Sequence, residues 1–66
     1  MNIKYPNISV KLIGRDSNAF YILGAVKAAL AKAGLPKEEQ DTFYQEATSG
    51  NYDHLLTTVM QWVQIE

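Results

Sequence analysis

ATSGNYDHLL, residues 47–56, decides how the second half of this chain folds. Ser49-Gly50 breaks the helical pattern that precedes it. Asn51 follows at once with a short side-chain oxygen able to accept from the free amides of a new first turn. From there Tyr52, Leu55, Leu56, Val59, Met60 and Val63 recur at helical spacing, which predicts a third helix with those residues inward. The stretch also holds an aspartate and the chain's single histidine, so it is the first place to look for chemistry.

Working outward, LPKEEQ (35–40) puts Pro36 at or beside a first helical position and Glu38 and Glu39 in the first turn, where carboxylates meet the positive helix end. That second helix is predicted to run to about Thr48, with Phe43, Tyr44 and Ala47 inward and Lys37, Asp41, Gln45 and Glu46 in water. Before it, Ala19, Leu23, Val26, Leu30 and Ala33 mark a first helix over 18–33, rich in alanine, with Gly34 placed for a left-handed cap. Gly24, Ala28 and Ala31 form a strip of small residues on another face. Asp16, Ser17 and Asn18 are each able to cap its start, Ser17 or Asp16 being favoured.

At the two ends the period changes to two. ISVKLI (8–13) alternates Ile8, Val10 and Leu12 with Ser9, Lys11 and Ile13, and Val63 and Ile65 offer a second short strand beside it. The expected fold is α+β: a single domain, 1–66, ordered β-α-α-α-β, with short strands at the two ends and residues 1–6 allowed to be flexible. Two strands make a weak sheet in water, and a domain of this size buries only roughly 60% of its unfolded surface, so completion by a second copy is expected. There is no cysteine to staple it.

Hydrophobic residues make up 47% of the chain and charged ones 20%, the balance of a folded domain. Six Lys and Arg against seven Asp and Glu leave a net charge of -1, which provides no basic field for DNA. No run of about 18 apolar residues suggests a membrane span, and the start has no signal-peptide pattern; a cytoplasmic setting is expected.

Chemistry is sparse. One histidine and no cysteine, without HExxH or paired-ligand spacing, argue against metal, and no cofactor motif occurs. No Gly-x-Ser-x-Gly elbow supports a nucleophile, so no catalytic residue is assigned and an enzyme is not expected. In GNYDHLL, Asn51 as cap, Asp53 against the helix dipole and His54 at the surface are sufficient as structural roles, although helix starts also receive anions. GRDSNAF (14–20) is a second turn-and-cap stretch, in which Arg15 adds a planar fork suited to phosphate or carboxylate. Ring residues with polar tips (Tyr5, Tyr21, Tyr44, Tyr52 and Trp62) are numerous for so small a surface. Trp62 lies beside the third helix's main stripe, open to either a core or an oligomer role.

The blocks VKLIGRDSNAFYILGAVKAALAKAG (10–34) and EATSGNYDHLLTTVMQWV (46–63) resemble those of small uncharacterised proteins carried by phages and bacterial genomes. The resemblance covers most of the chain, with Ser17 standing where a glycine is usual. It implies no enzymatic activity but a phage-linked setting, in which such proteins bind host components, including nucleotide-derived signals of host defence. The expected function is a homo-oligomeric binding protein for a small anionic, nucleotide-like ligand, with Arg15, Ser17, Asn18, Asn51, Tyr52, His54 and Trp62 as the binding residues. The competing expectation is a module that binds a host protein through a strand edge or the Gly24-Ala28 strip and has no small-molecule site.

Overall fold

The computed structural model describes residues 2–12 and 18–66. It is the expected α+β arrangement, with strand β1 (Tyr5–Val10), helices α1 (Ala19–Lys32), α2 (Lys37–Ala47) and α3 (Tyr52–Trp62), and strand β2 (Val63–Ile65). The two strands pair in parallel, a geometry that requires a crossover connection and here receives three helices as one.

The first strand starts earlier than alternation predicts and stops earlier, at Val10 rather than Ile13, which lies outside the described residues. Its early start has a side-chain cause. Tyr5 packs against Trp62 with ring centroids 5.8 Å apart, its hydroxyl donates to Glu39 Oε2, and Lys4 Nζ pairs with the same oxygen at 2.9 Å. Lys4 N also donates to the Gln61 carbonyl at 2.8 Å. Between Tyr5 and Ser9 the register slips, and Pro6, which has no N–H to give a ladder, sits in that slip. Beyond it Ser9 and Val10 face Gln64 and Ile65, and Glu66 N donates to the Val10 carbonyl at 2.9 Å.

Cap chemistry sets the helix ends. At the start of α1 it is Asn18, not the favoured Ser17 or Asp16, whose Oδ1 accepts, taking the Phe20 amide at 2.8 Å. Asp16 and Ser17 lie outside the described residues. At its end Gly34 adopts φ +90°, with Gly34 N bonded to the Ala31 carbonyl and Leu35 N to the Leu30 carbonyl, the paired bonds of a Schellman motif. Pro36 is the residue before α2, where its fixed φ fits and no amide is wasted.

All five elements supply the core: Ile8 and Val10, then Ile22, Leu23, Val26 and Leu30, Phe43 and Ala47, Leu55, Val59 and Trp62, and Val63. Four expectations fail here. Tyr44 and Tyr52 are only half-covered at 39% exposure, Met60 is exposed, and Ala33 has left the helix as its cap. On α3 the buried stripe is centred on Leu55, Val59 and Trp62, because Trp62 must reach both β1 and Phe43; Met60 then points away and Thr58 takes a buried place. Thr58 satisfies its hydroxyl by donating to the His54 carbonyl at 2.8 Å.

Two measurements check this account. Gly34→Ala forces a methyl group into a positive-φ position and is expected to cost about 1–2 kcal/mol, lowering the melting temperature by roughly 4–8 °C per kcal/mol in a domain of this size. The second concerns acid. The Tyr5 hydroxyl first, and the Lys4 ammonium second, hold the Glu39 carboxyl below its ordinary value. A carboxylate depressed by folding stabilises the native state above the unfolded pKa, so this contribution is lost as pH falls from the ordinary 4.5 through the lower folded value. Melting temperature followed from neutral to acid pH should therefore fall less steeply in Glu39→Gln than in the parent.

Candidate ligand groove

Two sequence stretches far apart along the chain meet at one end of the helical layer. The start of α1, with Ala19, Phe20 and Leu23, faces the end of α2 and the start of α3, and together they line an open groove of about 250 Å³. Tyr44, Ala47 and Thr48 form its α2 wall, while Gly50, Asn51, Tyr52 and Leu55 form the other. Phe20 stands on the rim with 79% of its surface in water. No charged side chain is among the described residues that line the groove.

The α2–α3 turn that shapes this wall is built by mutual capping. Asn51 Oδ1 accepts from His54 N at 2.9 Å, as the sequence predicts. The histidine ring then turns back onto α2, where Nε2 lies 2.7 Å from the Glu46 carbonyl oxygen and 3.0 Å from Ser49 Oγ. Ser49 Oγ donates to the same carbonyl at 2.8 Å, and Thr48 Oγ1 donates to the Tyr44 carbonyl at 2.7 Å. The last turn of α2 has no basic residue, so these side chains supply the donors that its orphan carbonyls need.

Ser49 and His54 have the spacing of a nucleophile and its base, but the protonation is wrong for that task. A carbonyl oxygen can only accept, so Nε2 at 2.7 Å from it carries the proton. A general base would need that nitrogen bare. The histidine therefore acts as a latch across the turn. Gly50 makes room for it, since a Cβ there would stand 2.8 Å from His54 Cγ.

The predicted binding residues separate into groups. Asn51 and Tyr52 line the groove, and Asn18 caps the helix whose first residues form its opposite wall. His54 is engaged with α2. Trp62 does not line the groove: it is 3% exposed, packed edge-on against Phe43 at 5.4 Å, with Nε1 donating to Glu46 Oε1 at 3.1 Å and Lys4 Nζ 4.1 Å from its ring centroid. Its contacts thus lie at the far end of α3 from the groove, among Lys4, Tyr5, Phe43 and Glu46. Arg15 and Ser17 lie outside the described residues. Phe20 is the lining residue that the sequence did not single out; its helical angle puts it beside Leu23, at the edge of the stripe formed by Ile22, Val26 and Leu30 rather than within it. Among the described residues no three His, Cys, Asp or Glu side chains gather as a metal site, and no helix is long and apolar enough to cross a membrane.

The latch is testable by a double-mutant cycle. Gly50→Ala is expected to destabilise by displacing the imidazole, and His54→Ala by about 1 kcal/mol through the lost hydrogen bond. Combined, the two should cost less than their sum, because removing the ring removes the clash; chemical denaturation of the four proteins reads the coupling. Strict additivity would mean that the ring and Gly50 do not compete for space.

No family model, curated protein or solved structure matches the chain, so the reading of the groove rests on its own geometry.

Proposed function

We propose that this chain is a small non-enzymatic binding protein whose groove receives a single large apolar side chain, leucine or phenylalanine, carried on an amphipathic helix of a partner protein. The observation that supports this most directly is Phe20, a phenylalanine left 79% exposed on the rim of an apolar groove. Covering such a ring is favourable at about 25 cal/mol per Å² of apolar surface removed from water. Tyr44 and Tyr52, each 39% exposed, add rigid rings, the residue type enriched where a few contacts dominate binding. At about 250 Å³ the groove is smaller than the roughly 300–1,000 Å³ common for small-molecule sites, yet it is matched to one inserted side chain.

A compact anionic ligand such as a nucleotide-derived signal is the second reading, favoured by one specific feature: the capped starts of α1 and α3 both border the groove. Against it, the two asparagine caps already take the Phe20 and His54 amides, and Asp53 adds negative charge in the first turn of α3. That reading draws its positive charge from Arg15. Both take the protein as cytoplasmic and phage-linked, on the sequence features alone.

Amide chemical shifts of the labelled protein, titrated in parallel with indole and with adenosine monophosphate, separate the two. Shifts at residues 19–23 and 47–55 with indole, weakened by Tyr52→Ala, are the expected result. Displacement by the nucleotide alone, lost in Arg15→Ala, would transfer the site to the anionic ligand, and silence with both probes would remove the groove from recognition.

A further inference from the structure

We propose that the partner helix received by the groove carries an acidic side chain one turn from its apolar anchor, and that Lys27 is the cation that receives it. This deepens the groove reading and rests on it. The described residues that line the groove carry no charge, so discrimination by charge has to come from its border. At about 100° per residue, Phe20, Leu23 and Lys27 fall within an arc of about 60° on α1, and Lys27 stands one turn, about 6 Å, beyond Leu23. Lys27 Nζ lies 5.3 Å from the centroid of the Tyr44 ring, which belongs to the α2 wall of the same groove. It therefore marks the end of the groove away from the α2–α3 turn.

A second lysine in the same chain shows what Lys27 lacks. Lys4 also lies against a ring, its Nζ 4.1 Å from the Trp62 centroid, and there a carboxylate completes the arrangement, Glu39 Oε2 at 2.9 Å. Among the described residues no carboxylate completes Lys27: Asp41, one turn before Tyr44 on α2, forms no ion pair with it. Glu46 is engaged with Trp62 Nε1, and Asp53 stands in the first turn of α3, beside the α2–α3 turn. Yet Lys27 is the half-buried lysine, whereas Lys4, Lys11, Lys32 and Lys37 are exposed. Partial burial raises the cost of an ammonium whose partner is a ring alone, and an anion brought to it relieves that cost.

The spacing then defines the partner. Residues four apart on a helix are separated by about 6 Å along its axis, the same step that separates Leu23 from Lys27. A leucine or phenylalanine seated over Leu23 thus brings an aspartate or glutamate three or four positions along the partner's helix to Lys27, the spacing by which groove-bound helices present their contacts. The apolar anchor supplies affinity. The charge pair selects among partners and sets the orientation of the helix, because a charge at the border of an interface steers and discriminates more than it holds.

Amide chemical shifts of the labelled full chain, titrated at neutral pH and low salt with indole-3-propionate and with tryptamine, test this, since the two probes share a ring and carry opposite charges. The parent is expected to bind indole-3-propionate roughly fivefold more tightly than tryptamine, a ratio that shrinks as salt is added. Lys27→Met, which keeps the apolar stem of the side chain, should bring the ratio close to one, and Lys27→Arg should retain it. A parent without preference for the anionic probe, or a preference that survives in Lys27→Met, overturns the inference, while shifts at residues 19–23 and 47–55 still uphold the groove. A preference lost in Arg15→Ala and kept in Lys27→Met also overturns it and assigns the charge to Arg15. Silence with both probes removes the groove and the inference together. Should Lys27→Met fail to fold, Lys27→Gln decides by the same ratio.

Discussion

The indole of Trp62 is the contact on which the rest of this fold depends. It ends α3, yet it touches the second helix through Phe43, the first strand through Tyr5, the residue before that strand through Lys4, and the α2 carboxylate Glu46 through its N–H. A two-stranded parallel sheet would not persist in water by itself. Here the strand next in sequence to Trp62 and the strand laid over its ring are brought side by side by one aromatic group. The polar contacts around it, Lys4 and Tyr5 on Glu39, hold that first strand at its edge where burial is incomplete.

From that clamp the groove follows. With α3 fixed at its far end by Trp62, its start must return to α2 through a tight turn, and His54, Ser49 and Thr48 close that turn by feeding donors to the exposed carbonyls of α2. The start of α1 then faces the turn, so that each helix gives the groove one ring, Tyr44 and Tyr52 on two walls and the bare Phe20 at the rim. The residues with the most suggestive chemistry, a serine and a histidine within bonding distance, serve in this arrangement to shape a wall.

Much of this was legible in the sequence. Gly34, Pro36 and Asn51 each appear at the helix boundary that their local chemistry demands, because capping is decided within a few residues. Ile8, Val10 and Val63 declared themselves by alternation. What local pattern could not supply was competition between partners distant in sequence: Tyr5 joined the strand because Trp62 and Glu39 wait for it, and Met60 lost its inward place to the stripe that Trp62 imposes. The site shows the same division. Asn51 and Tyr52 were identifiable from a cap and a ring, whereas the groove exists only because residues 18–23 and 44–55 are brought together by tertiary packing.

The parallel pairing of the first and last strands has a mechanical consequence. Force applied to this chain through its two ends would draw β1 and β2 in opposite directions along their common axis, so the ladder between them and the flanking bonds at its two ends, Lys4–Gln61 and Val10–Glu66, would be loaded together, in shear. An antiparallel hairpin pulled at its ends opens one rung at a time. This small domain is thus shaped to resist traction along its length better than its modest core would suggest.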